Sequence, residues 1–331
     1  MRALIVAAVI SLAACGSPAP QHSAAVPSTA APLTPPAEMS HGEAPVGMAN
    51  TKTDRAADAP PRAHTRRHRI RMRSVAVRHE VSPGVWYDAW TFDSIVPGPV
   101  LRATVGDTID FTLVNGADMP HSMDFHAAEI APNRAYRNVM PKDSIQFTFV
   151  PRVPGVFMYH CGTAPVAAHI ANGMYGALII DPVTPRAPAQ EFVLVQSEFY
   201  MGAGQGKDSI RALDWQKLLG ASPDFVTFNG VASRYASHPI PVKARTPVRL
   251  YVVNAGPNRF SAFHVVGAIF DDVYVDAFGS PLRGVQTYNV AVGGGAIFEL
   301  RLAEPGQYPF VSHAFADATK GAMGVLEATL R

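Results

Sequence analysis

Between residues 70 and 182 apolar and polar positions alternate in short runs. D-T-I-D-F-T-L-V (107–114), S-I-Q-F-T-F-V (144–150) and G-V-F-M-Y-H-C (155–161) put every second side chain on one face, the period of a half-buried strand. Proline and glycine interrupt the runs at short intervals, which predicts a Greek-key β-sandwich. The basic run R-R-H-R-I-R-M-R (66–73) obeys the same rule. Arg69, Arg71 and Arg73 alternate with Ile70 and Met72, so this stretch predicts a first strand with its apolar residues inward, and no nucleic-acid patch. A helical period holds only over S-I-R-A-L-D-W-Q-K-L-L (209–219), which predicts a short surface helix between domains.

The strand pattern recurs. Leu101 to Asn115 parallels Val242 to Asn254, both ending in Val-Asn ahead of a histidine motif, and P-G-V-F-M-Y-H (154–160) parallels P-G-Q-Y-P-F-V-S-H (305–313). Two copies of one sandwich are expected, and 331 residues suffice for two ordinary cores.

The N-terminus is different in kind. Arg2, an apolar run from Ala3 to Ile10 and L-A-A-C ending at Cys15 read as a secretory signal peptide (1–15) with a lipoprotein cleavage box, the run being too short to span a bilayer. Gly16 after the lipidation site Cys15 favours sorting to the outer membrane. Residues 16–65, rich in Ala, Pro, Ser and Thr without apolar periodicity, are expected to form a disordered stalk. The formal net charge of +2 calls for no special partner. Of the two cysteines, a lipidated Cys15 leaves Cys161 without a disulfide partner in an oxidising compartment, where metal ligation would protect it.

Around Cys161 the sequence is F-M-Y-H-C-G-T-A-P-V-A-A-H-I-A-N-G-M, a Cys-x7-His-x4-Met pattern of Cys161, His169 and Met174 with His160 immediately before the cysteine. A thiolate with imidazoles and a long axial thioether is the ligand set of a blue-copper centre. The missing imidazole has two candidates upstream, His121 and His126 in M-P-H-S-M-D-F-H. Strand parity sends His160 and Cys161 to opposite faces, and likewise His121 and His126 if their segment is extended. One face then collects His121, Cys161, His169 and Met174. The other collects His126 and His160, an incomplete histidine site.

These motifs resemble the copper nitrite reductases, and the short Cys-x7-His loop followed by H-I-A-N-G-M-Y-G resembles their lipid-anchored forms in Gram-negative bacteria. The likeness extends to T-F-D-S-I-V-P-G-P (91–99), V-G-D-T-I-D-F-T-L-V-N (105–115), F-H-V-V-G-A-I-F-D-D-V-Y-V (263–275) and S-H-A-F-A-D-A-T-K-G-A-M-G (312–324). It implies an all-β chain of two tandem cupredoxin-like Greek-key β-sandwich domains, 66–185 and 186–331. It implies two coppers per subunit, type 1 on His121, Cys161, His169 and Met174, and type 2 on His126 and His160 with His313 of a neighbouring subunit in a homotrimer. Without the resemblance, His313 in V-S-H-A-F is an ordinary strand-end histidine. The resemblance further implies Asp124 and His264 as proton-delivering catalytic residues, nitrite as substrate, and a separate cytochrome c or small blue-copper protein as electron donor. Val266 stands over the substrate position where the family commonly has isoleucine. Two rival readings are a laccase-like multicopper oxidase and a non-catalytic copper carrier or electron-transfer lipoprotein. A trinuclear cluster uses His-x-His pairs and the chain has none; it also lacks the C-x-x-C-H of a fused haem.

Overall fold

The computed structural model describes residues 57–205, 209–275 and 279–330. The expected signal peptide, Cys15 and the stalk as far as residue 56 lie outside the described residues, but the last part of the expected stalk is not disordered. Ala57 is buried in the second core, and residues 57–59 pair with 191–193, because the edge of the strand Gln190–Phe199 offers free backbone groups to the passing chain.

Strands dominate, as the alternation predicts. In the first half a six-stranded sheet runs in the order Met201–Gln205, Ile210–Leu213, Val85–Phe92, Arg67–Ser82, Thr108–Asn115, Ser144–Phe149. It faces a four-stranded sheet of Leu101–Thr104, Tyr175–Asp181, Gly155–His160 and Asp124–Phe125. The second half has a six-stranded sheet ordered Phe225–Phe228, Gln190–Phe199, Pro247–Gly256, Gly295–Arg301, Phe270–Val275, Leu282–Val285. Its partner is a five-stranded sheet ordered Ile240–Lys243, Met323–Thr329, Gly306–Ser312, Ser261–Val265, Thr287–Val290. The basic stretch is the first strand: Arg67, Arg69, Arg71 and Arg73 are exposed while Met72 and Ser74 are buried.

The two sandwiches are pressed together. Phe192 and Leu194 face the second core with Phe263, Phe298 and Phe310. Val193 and Val195, pointing the other way, pack with Tyr251, Val253 and Ile297 against Val156, Met158 and Ile179 of the first half. These central strands are therefore buried on both faces and read as continuous apolar runs, V-L-V and L-Y-V-V, without alternation. At Gly295 the approach is so close that a Cβ would collide with the Val156 carbonyl, which leaves no room for any other residue.

The helix expected over 209–219 is shorter than its periodicity. Ile210–Leu213 is a strand, paired with Met201–Gln205 and touching Tyr87 through Arg211, so this hairpin joins the first sandwich although it follows a strand of the second. Only Trp215–Leu219 is helical, started by the Asp214 carboxylate, which accepts a hydrogen bond from Lys217 N at 3.0 Å. Edge pairing took the preceding residues. The Val166–Ala171 helix, by contrast, has six residues and too few turns to leave a readable period. No helix among the described residues is long and apolar enough to cross a membrane.

Candidate metal centres

The strand Gly155–His160 lies between Asp124–Phe125 and Tyr175–Asp181, with Asp124 opposite His160 and His160 opposite Tyr175. At its end the pleat separates two consecutive side chains, as parity predicts. Cys161 turns toward His121 and His169, whose ligand atoms lie with its sulfur within 4.8 Å of one another; His160 turns to a second group, with Asp124 and His126. His121 and His126 diverge too, although only Asp124–Phe125 of their segment is regular strand.

In the first cluster Cys161 Sγ is 3.3 Å from His169 Nδ1 and 3.9 Å from His121 Nδ1, and the two nitrogens are 3.2 Å apart. All three residues are buried. The His121 loop is anchored by a two-way backbone pairing with Val139. His169 sits on the Val166–Ala171 helix with the Trp90 ring edge-on at 5.0 Å. Met174, fully buried, donates its N–H to the His169 carbonyl at 3.1 Å and accepts from Cys161 N at 3.0 Å, which fixes it beside both. One thiol and two imidazole nitrogens, with no carboxylate, form the soft donor set of a type 1 copper. Burial pushes the Cys161 thiol up, and donors from Ser122 and Thr163 oppose that rise. A copper ion held by Cys161, His121 and His169 would resolve the conflict by stabilising the thiolate.

The second cluster is more open. His160 Nε2 and His126 Nε2 face each other at 3.1 Å, a spacing that suits two imidazoles at about 2.0 Å from one ion. His160 Nδ1 donates to the Cys161 carbonyl at 2.9 Å, so the proton is on that nitrogen and the Nε2 lone pair points into the cluster. The Asp124 carboxylate is 3.8 Å from the same Nε2. His126 is exposed, and His313 does not belong to this group within one chain. His313 instead directly follows the strand Gly306–Ser312, 5.5 Å ring to ring from His264 and 4.6 Å from Phe315. His264 Nδ1 donates to the Gln286 carbonyl at 2.6 Å, which leaves Nε2 without a proton in the neutral ring. Val266 follows the strand Ser261–Val265 that carries His264 and is exposed.

Three residues with no signal in the sequence complete the first cluster. Ser122, Thr163 and Asn138 form a hydroxyl and amide chain beside the sulfur. Polar side chains of this kind become visible only when their partners are known.

Residues 76–185 match the family model described as multicopper oxidase. The copper-containing nitrite reductase of Neisseria gonorrhoeae is 37% identical over 98% of this chain and 86% of that protein. That of Neisseria meningitidis is 38% identical over 83% of this chain and 74% of the other. Among solved structures, copper nitrite reductase from Nitrosomonas europaea superposes with a TM-score of 0.73 at 34% identity, covering 80% of this chain and 94% of that one. Matched along nearly its whole length, with a thiolate and two imidazoles converging in its first half, the chain belongs to the copper-containing nitrite reductase family.

Proposed function

We propose that this protein reduces nitrite to nitric oxide and water, using one electron and two protons, at a type 2 copper held by His126 and His160 of one subunit and His313 of the next. The observation that carries this reading is an adjacency. His160 and Cys161 are consecutive, yet their side chains enter different clusters, so a single peptide unit joins a buried centre to an open one. When bound, copper supplies the one-electron redox chemistry at both.

The chain itself supplies positioning and protons. Three imidazoles leave a coordination position for substrate. Asp124 and the unprotonated Nε2 of His264 are the groups placed to relay protons to the substrate. Val266 forms the apolar wall over the substrate. Within one chain both half-sites are open, and exposed apolar side chains accompany the His264–His313 half: Phe315, 58% exposed, lies against His313, and Val266, 45% exposed, stands two residues after His264. Such a patch around ligating groups favours coverage by another copy. Because the two half-sites are different surfaces, the contact is heterologous and closes as a ring, here a homotrimer.

The domains run 66–185 and 186–331, apart from the hairpin strands Met201–Gln205 and Ile210–Leu213, which join the first sheet. They stand behind a lipidated Cys15 and a tether that ends where Ala57 docks on the second sandwich. The tether holds the enzyme at the outer membrane, where a cytochrome c or small blue-copper protein delivers electrons. Labelled palmitate incorporation that disappears in Cys15→Ala supports the anchor; equal labelling in both removes it. For the activity, the copper-loaded protein is reduced with dithionite, freed of excess reductant and given nitrite over a nitric oxide electrode. Nitric oxide release with reoxidation is expected. A fully loaded protein that stays reduced and silent is a carrier, not a reductase.

A further inference from the structure

Cys161 Sγ is approached from the His121 side by two donors of one residue. Ser122 N–H points at the sulfur at 3.3 Å, and Ser122 Oγ lies 4.0 Å away. The same oxygen accepts the Gly162 N–H at 3.0 Å and is 3.2 Å from Thr163 Oγ1, which is itself 3.0 Å from Asn138 Oδ1. Ser122 and Thr163 are buried. Ser122 follows one ligand and Gly162 and Thr163 follow another, so the hydroxyl rivets together the two segments that carry His121 and Cys161.

Counting protons gives this rivet a direction. A threonine hydroxyl has one proton, and Thr163 is placed to donate it toward Ser122 Oγ and the Asn138 carbonyl oxygen. Ser122 Oγ already accepts from Gly162. Thr163 is placed as a second donor to that oxygen, so Ser122's own proton is left for Cys161 Sγ, and an ionised sulfur is a strong acceptor.

We propose that the Ser122 hydroxyl, oriented by Gly162, Thr163 and Asn138, is a positioning residue that sets the reduction potential of the type 1 centre by donating to the Cys161 thiolate. The inference deepens the copper reading of Cys161 and rests on it. A donor at the sulfur withdraws electron density from the ligand, which weakens its bond to the oxidised ion more than to the reduced one and so raises the potential. Ser122 is not a ligand. Substituting it leaves the sulfur, the imidazoles, the thioether and the Ser122 backbone N–H in place.

The test begins with the copper-loaded wild-type protein, whose intense visible band and narrow copper hyperfine splitting establish the thiolate centre; if they are absent, the copper reading itself fails. With them present, spectroelectrochemical titration of Ser122→Ala is expected to give a lower midpoint potential and a displaced sulfur-to-copper band at unchanged copper content. Ser122→Thr, which keeps the hydroxyl, is expected to restore both. Ser122→Gly removes the same proton and provides the measurement if the alanine variant does not hold copper. A wild-type potential and band in either loaded variant overturns the proposal. So does loss of copper from both when Ser122→Thr stays loaded, since the hydroxyl would then serve loading and not tuning.

Discussion

Cys161 is fully buried, and burial alone favours its protonated thiol; donors from Ser122 and Thr163 pull the other way. Replacing this one sulfur therefore separates the two centres cleanly. Cys161→Ala is expected to abolish the intense visible absorption while a type 2 electron paramagnetic resonance signal persists, because His126, His160 and His313 do not depend on the thiolate. Loss of both signals would mean that the division into two centres is wrong. Asp124 and His264 answer a different question, since the proposed type 2 copper takes its ligands from His126, His160 and His313. Asp124→Asn and His264→Ala should each keep both coppers yet lose nitrite turnover by on the order of 100- to 10,000-fold, with an altered pH profile, measured as initial nitric oxide release. Unchanged turnover would exclude them from proton delivery. The ligand residues were legible because a thiol, imidazoles and a thioether at set spacings have few other uses. Ser122 was not, since a hydroxyl takes its meaning from what the fold sets 3–4 Å away.

At the scale of elements, the sequence repeat has a physical basis in two asparagines. Asn115, ending the strand Thr108–Asn115, donates its amide to the carbonyls of Met119 at 2.7 Å and Val139 at 2.8 Å, and its oxygen accepts from Ala117 N at 2.9 Å. Asn254 does the same for Arg259 at 2.8 Å, Val290 at 3.1 Å and Gly256 N at 3.1 Å. Each staples the loop that leads to a histidine, His121 in one half and His264 in the other. Asn115→Ala leaves the Val139 carbonyl only its bond from His121 N and strips Met119 of this donor. About 2 kcal/mol of lost stability is expected in urea unfolding, together with a perturbed type 1 spectrum. Asn254→Ala should cost a similar amount and leave that spectrum intact; equal spectral effects from both would contradict the assignment. The Val-Asn endings were readable because the repeat brackets them. The helix bearing His169 was not, because six residues show no period, and 210–213 misled because its apolar spacing fits a helix while an open sheet edge recruits it as a strand.

Across the whole molecule the two sandwiches are locked by charge as well as by apolar contact. Arg102 and Asp181 of the first half meet Glu191, Arg249 and Glu299 of the second, with Glu191 bound at 2.7 Å to Arg102 and at 2.6 Å to Arg249. Burial would raise the Glu191 pKa, but hydrogen bonds from the two guanidinium groups outweigh it and hold the carboxyl below its usual range. A depressed carboxylate stabilises the fold above its unfolded pKa, near 4.3, and the contribution is lost as pH falls through the lower folded value. Glu191→Gln is therefore expected to cost about 3 kcal/mol at pH 7 and to flatten the acid limb of a stability–pH curve from chemical unfolding; an unchanged limb would rule out this linkage. The largest unit is the proposed homotrimer, and its proposed shared copper makes its own prediction. A His313→Ala subunit lacks only the half-site it lends, and a His126→Ala, His160→Ala subunit lacks only the half-site it keeps. Each homotrimer alone should be without type 2 copper and inactive, with type 1 copper retained on the intact Cys161 cluster. When the two proteins are dissociated, mixed and reassembled, some interfaces join an unmodified His126–His160 pair to an unmodified His313. Activity and the type 2 signal should then return in proportion to the number of such interfaces, tracked against mixed trimers resolved by native mass spectrometry with one variant isotopically labelled. Mixed trimers that bind no type 2 copper would place the third ligand within the same chain.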